Sequence, residues 1–70
     1  MDINKKIGEK LNALRLAHDY SLEDIAIKVG KSRKTIHAYE KGTIEISVSN
    51  LQKILDIYGE SVGRFLDNIK

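Results

Sequence analysis

The sequence predicts an all-α domain of five helices, two of them crossing as a helix-turn-helix. Three observations carry this prediction. Apolar residues recur three and four apart along nearly the whole chain. Ser21, Ser32, Ser47 and Ser61 each stand just before such a run, where a serine caps a helix, and proline is absent throughout. Between Leu22 and Tyr39, a small alanine, a glycine and several branched apolar residues fall at the spacing of two helices in close contact.

Taken in order, Ile3, Ile7, Leu11 and Leu14 form one stripe of a first helix that ends near His18 and Asp19, with Tyr20 packed at the corner. The second helix is predicted over Leu22 to Val29. Ser21 and Asp24 make a capping-box pattern at its start, and Gly30 stops it by taking the left-handed conformation of a sharp turn. Ala26 stands where a larger side chain would hold the next helix away. The third helix follows Ser32 and runs to Lys41, with Ile36 and Tyr39 facing Ile25 and Val29 and with Gly42 at its end. Thr43 to Ile46 reads as an irregular connection. Ser47 caps a fourth helix with Leu51, Ile54, Leu55 and Tyr58 inward, and Ser61 opens a short fifth helix with Val62, Phe65, Leu66 and Ile69 on one face. Ile44, Ile46 and Ile57 have no evident place in this scheme, either covering the core edge or facing a partner.

Seventy residues predict one domain, residues 1–70, whose small core must be used efficiently. The chain has no cysteine, which excludes a disulfide frame and a thiolate zinc site and fits a reducing compartment. No apolar run reaches the length of a bilayer span and no secretory leader is expected, so the expected location is cytoplasmic and no membrane partner is implied. His18 and His37 stand nineteen apart with no ligand at metal spacing, no glycine-rich phosphate loop is present, and no serine sits in a nucleophile turn. The expectation is a non-enzyme without catalytic residues, metal or cofactor.

The net charge of +2 is uninformative by itself, but its distribution is not. From Lys28 to Lys41 five basic residues stand against Glu40 alone, whereas the rest of the chain has seven basic and nine acidic residues. Positive charge therefore gathers where the third helix begins and ends, as expected for a surface that meets phosphate.

In this order the residues Ile7-Gly8, Leu11, Leu14-Arg15, Ser21, Ile25-Ala26, Val29-Gly30, Ser32, Thr35-Ile36, Glu40-Lys41-Gly42, Leu51, Ile54, Tyr58-Gly59, Ser61 and Phe65-Leu66 make the chain resemble the Cro/cI-like, phage-repressor-type helix-turn-helix regulators, also called the xenobiotic-response-element family. The resemblance implies a five-helix lambda-repressor-like DNA-binding domain from a bacterium, phage or other mobile element, acting as a transcriptional regulator, in the first instance a repressor. Its third helix would lie in the major groove of double-stranded DNA and present Ser32, Arg33, Lys34, Thr35, His37 and Ala38, with Lys31, Lys41 and Thr43 flanking it. Arg33 and Lys34 lead as readers of base edges, because paired donors match the acceptors of guanine. Arg15 and Glu40 match a pair that, in the family, ties the first helix to the third through a salt bridge.

This chain also departs from the family pattern. Leu22 stands where relatives carry a glutamine that bonds phosphate or braces the recognition helix, Ala38 where they carry a polar reader, and Asp19 where they carry glycine. Lys31 and Glu60 replace apolar residues, Leu55 and Ile57 replace smaller ones, and the connection after Gly42 is acidic and apolar rather than basic. One short recognition helix reads few base pairs, so a homodimer on a near-palindromic operator is expected. Phe65 and Leu66 match family core positions, which leaves Ile57 and Ile69, with Ile46, as the apolar residues expected at the surface, and Ile57, Val62 and Ile69 as the candidate dimer interface. The alternative reading is a protein-interaction module on the same fold, an antitoxin or a modulator of another regulatory protein. Arg33 and Lys34 favour DNA, whereas Leu22, Glu45 and the surplus isoleucines favour a protein partner.

Overall fold

A computed structural model describes residues 2–69. Five helices follow one another: α1 (Ile3–Ala17), α2 (Leu22–Val29), α3 (Arg33–Lys41), α4 (Val48–Ile57) and α5 (Val62–Asp67). This is the five-helix, lambda-repressor-like arrangement, and no strand occurs among the described residues.

Every helix start is fixed by a side-chain cap. Asp2 accepts from the backbone N–H groups of Asn4 and Lys5, Ser32 from Thr35, Ser47 from Asn50 and Ser61 from Arg64. At α2 the capping box is reciprocal: Asp24 N–H donates to Ser21 Oγ at 3.0 Å, and Ser21 N–H donates to the Asp24 carboxylate at 2.9 Å. These bonds satisfy donors that no helical carbonyl reaches, and each cap is worth ~1 kcal/mol. Receiving the Ser21 N–H also holds the Asp24 carboxyl below its ordinary pKa. At the other end of α2, Gly30 has φ +69°, and Lys31 N–H reaches back to the Ala26 carbonyl at 3.0 Å, so the chain reverses tightly into α3. Asp19 takes the left-handed conformation at φ +63° in the turn between α1 and α2.

The core is formed by Ile7 and Leu11 of α1, Ile25 and Ala26 of α2, Ile36 and Tyr39 of α3, Leu51, Ile54 and Leu55 of α4, and Phe65 of α5. Ala26 is 1% exposed, so the helix-turn-helix crossing leaves no room for a larger side chain at that position.

The apolar surface differs from the sequence expectation in several places. Ile57, Ile69 and Ile46, expected to keep their surface, are partly buried and pack against the core, so of the two readings open for Ile46 and Ile57 the core edge is the one that holds. Ile46 lies just before α4 and Ile57 is its last residue, and Val62 of the candidate dimer interface also packs against the core. Leu66, expected in the core, is 38% exposed. It follows Phe65 by one helical step of about 100°, and Phe65 takes the inward direction. Ile69 lies beyond the end of α5, past the C-cap Asn68, and not on its face. Ile3, placed on the buried stripe of α1, is half exposed because it begins the helix beyond the reach of the core. Ile44 points outward from the connection between α3 and α4, while Ile46 covers the core edge.

The contact that sets the position of α3 is between backbones. A Cβ atom added at Gly8 would stand 2.4 Å from the Glu40 carbonyl oxygen and 2.5 Å from that of Tyr39. At Gly63 an added Cβ meets nothing within 4 Å. Gly8→Ala is therefore expected to lower stability by about 1–3 kcal/mol despite alanine's better helix propensity. Gly63→Ala should instead raise stability by up to ~1 kcal/mol. Thermal or denaturant unfolding of the two variants checks the contrast, and equal effects would mean that α1 and α3 are not in backbone contact.

Candidate nucleic-acid interface

The site is built on a charged brace beneath α3. Glu40, near the C-terminal end of α3, is a buried carboxylate with its side chain only 6% exposed. Arg15 of α1 meets it with two bonds, Nε to Oε2 at 2.8 Å and Nη2 to Oε1 at 3.1 Å. Asn12 Nδ2 donates to Oε1 at 2.8 Å, and the remaining Arg15 nitrogen, Nη1, donates to the Tyr20 carbonyl at 2.9 Å. The carboxylate thus receives three donors, and the guanidinium is also tied to the turn that leads into α2. The bond to Glu40 raises the Arg15 pKa against the opposing effect of burial. Tyr58 lies partly buried near this pair, and burial, with Glu40 nearby, pushes its phenol up to about 12.

The outer side of α3 is polar and open. Lys31, Ser32, Arg33, Lys34, His37, Lys41 and Thr43 are exposed, while Thr35 and Ala38 are partly buried. Arg33 and Lys34 are the first two residues of the helix, directly after the cap. Ser32 Oγ accepts from the Thr35 N–H at 3.1 Å and lies 2.9 Å from Thr35 Oγ1, so these hydroxyls are partly committed to holding the helix start. Thr43 Oγ1 donates back to the Ala38 carbonyl at 3.3 Å and closes the end of α3.

Two clefts run along this face. One, lined by Ser32, Arg33, Lys34, Leu22 and His37, lies between the start of α2 and the start of α3. The other is lined by Lys5, Glu9, Asn12 and Arg15 of α1 together with Leu22, His37, Glu40 and Lys41. Leu22 and His37 belong to both, so the clefts adjoin across the middle of α3. The structure thus brings Ser32, Arg33, Lys34 and His37 to one cleft and His37 and Lys41 to the next. It adds Lys5, which the sequence reading did not place at the site, and it sets Leu22, at the position of the family's phosphate-bonding glutamine, in both clefts. Ile57, Val62 and Ile69 line neither cleft.

The comparison with known families agrees with this architecture. A family model described as helix-turn-helix matches residues 11–65, from the middle of α1 into α5. The chain belongs to the helix-turn-helix family, in its Cro/cI-like branch. Among similar members are three archaeal proteins named as helix-turn-helix-type transcriptional regulatory proteins. That of Pyrobaculum aerophilum is 36% identical over 55 residues, 79% of this chain and 22% of its own length. That of Pyrococcus horikoshii is 33% identical over 63 residues, 90% of this chain and 20% of its own. That of Aeropyrum pernix is 41% identical over 55 residues, 79% of this chain and 17% of its own. The chain therefore spans about a fifth of the length of these relatives. No solved structure matches it. Among the described residues, no helix is long and apolar enough to cross a membrane.

Within this helix-turn-helix the Arg15–Glu40 brace carries the orientation of α3. Glu40→Ala strands a largely buried guanidinium and should cost about 3–5 kcal/mol, toward the lower end because Arg15 keeps its bond to Tyr20. Replacing both partners with apolar residues of similar size should recover much of the loss. Urea unfolding of the single and double variants checks this, and a Glu40→Ala midpoint equal to the parent's would mean that the pair contributes nothing to the fold.

Proposed function

We propose that this chain is the DNA-binding unit of a transcriptional regulator, acting as a repressor by occupying a near-palindromic operator as a homodimer. The observation that carries the reading is the outward-facing start of α3. Arg33 and Lys34 are exposed on the first turn of a helix whose opposite face is locked into the core by Ile36 and Tyr39. A rigid helix that presents an arginine and a lysine beside an open cleft has the shape and donors to enter a major groove. The transcriptional regulators to which the chain is similar support the same reading.

In this proposal Arg33 and Lys34 read base edges. His37, Ala38 and Thr35 border the groove, and Lys31, Ser32, Lys41 and Thr43 meet phosphate or sugar at its margins. Arg33→Ala should cost about 1–3 kcal/mol on a site selected from a random duplex pool and relax preference at one base pair, whereas Lys41→Ala should weaken binding to all sequences alike. Polarisation titrations against the selected and scrambled duplexes measure both. If Arg33→Ala leaves affinity and selectivity unchanged, α3 does not read the groove.

Dimerisation is proposed through the end of the molecule formed by α4 and α5, where Ile57, Val62 and Ile69 keep part of their surface and Leu66 is 38% exposed. The two α3 helices would then lie about one DNA turn, roughly 34 Å, apart. Leu66→Asp tests this surface with little effect on the core, and should shift sedimentation toward monomer while weakening binding to the selected site. A parent that sediments as a monomer at high micromolar concentration and protects a single half-site would remove the dimer from the proposal. The second reading, a module that grips another regulatory protein, is favoured by the exposure of Ile27 at 72% and Val48 at 70%. It becomes the better account if the parent selects no duplex.

A further inference from the structure

The proposed function assigns no base reader to the cleft on the α1 side of α3, yet this cleft is lined by three groups that suit an anion. Lys5, His37 and Lys41 border it, on a floor closed by the Arg15–Glu40 pair. Both Glu40 oxygens are already occupied by Arg15 and Asn12, so the floor offers no free acceptor from that carboxylate, and Glu9 is the one other acid on the lining.

The position of Lys5 is fixed by backbone contact. Gly42 has φ +70°, and a Cβ there would meet the Lys5 Cα at 2.6 Å and the Lys5 nitrogen at 2.7 Å, so the first turn of α1 rests directly on the end of α3. The Lys5 side chain itself is exposed, as is that of Lys41. A lysine on a freely placed helix would be an ordinary solvated charge, but this one is carried on a first turn whose backbone rests against the end of α3.

We propose that the cleft between the first turn of α1 and the end of α3 is a phosphate-binding notch, in which Lys5 joins Lys41 and His37 to hold a backbone phosphate of duplex DNA. This rests on the reading of α3 as a groove-binding helix and extends it. The phosphodiester chain that borders the groove would pass from the cleft at the start of α3, across Leu22 and His37, into the notch. Leu22 has no donor to offer that backbone, so the notch supplies an anchoring contact displaced toward α1. Glu9 tempers the site, since its charge faces the same cleft.

Lys6 provides a matched control. It is the next residue on the same helix turn, carries the same charge and is exposed, but it lines the neighbouring groove on the α5 side with Lys10, Asn68 and Ile69, where Glu9 stands between the two clefts and borders both. The experiment measures binding to a 30-base-pair duplex of scrambled sequence as salt is raised from about 50 to 200 mM, for the parent, Lys5→Ala, Lys6→Ala and Glu9→Gln. Each lost phosphate contact lowers the slope of log affinity against log salt by about 0.9, so the parent should lose about 3.5-fold more affinity over this range than Lys5→Ala. Lys6→Ala should keep the parent slope, and Glu9→Gln should bind more tightly than the parent. Equal slope changes for Lys5→Ala and Lys6→Ala would overturn the notch, because only long-range charge would be at work. So would a lowered melting temperature for Lys5→Ala with an unchanged slope, which assigns the lysine to capping α3 alone. Both results leave the groove assignment of α3 standing, whereas a parent that shows no salt-dependent binding to any duplex overturns the assignment and the notch together.

Discussion

The close approach of α1 to the last turn of α3 is the constraint on which the rest of the molecule depends. Gly8 places its backbone against the Tyr39 and Glu40 carbonyls, and Gly42 places its own against Lys5. With two points of backbone contact the helices cannot slide or roll against one another without a clash, because interiors this closely packed respond by displacement and not by compression. The short α3, nine residues long, would be marginal alone. Its direction is borrowed from the fifteen-residue α1.

The ion pair beneath this contact has a different job from the contact itself. A buried arginine and glutamate recover the cost of leaving water only when their geometry is good and their remaining polar atoms are satisfied. Here the fork is bidentate, Asn12 supplies the third donor to the carboxylate, and the Tyr20 carbonyl takes the free guanidinium nitrogen. No buried side-chain nitrogen or oxygen among the described residues lacks a partner. The directional bonds fix the rotation of α3 about its axis and link it to the turn that starts α2. Apolar packing by Ile36 and Tyr39 supplies the bulk of the attachment but is less selective about angle.

Most of the fold was legible because its signals are local. The bounds of α2 follow from Ser21, Asp24 and Gly30, all within one short stretch, and the left-handed Asp19 falls where the family carries glycine. What was not legible depends on contacts between distant residues. Arg15 and Glu40 are 25 positions apart, so no periodicity relates them, and only the family pattern drew attention to them. Lys5 reaches the site because Gly42 admits its backbone, a fact of tertiary packing. The surplus isoleucines were ambiguous for the same reason: Ile46 and Ile57 fall outside the helical stripes, and only the tertiary arrangement shows that both pack against the core edge. Phe65 and Leu66 are neighbours in a six-residue helix, and the ring took the single inward position.

The place where local propensity and the sequence disagree is informative about the site. A helix start carries a partial positive charge and favours acids, as in α2, where Glu23 and Asp24 occupy the first turn. The first turn of α3 has no acid and opens instead on Arg33 and Lys34, with Lys31 just before the cap. Three cations beside the positive end of a helix cost stability, and nothing in the fold compensates them, since these side chains are exposed and form no salt bridge among the described residues. The first turn of α1 repeats the conflict with Lys5 and Lys6, offset in part by the Asp2 cap. Sequences that are otherwise locally consistent tolerate such conflicts where a function requires them. An anion brought to this face would relieve the repulsion at the start of α3 and gain from the helix field as well, so folding and binding pull on the same residues in opposite directions.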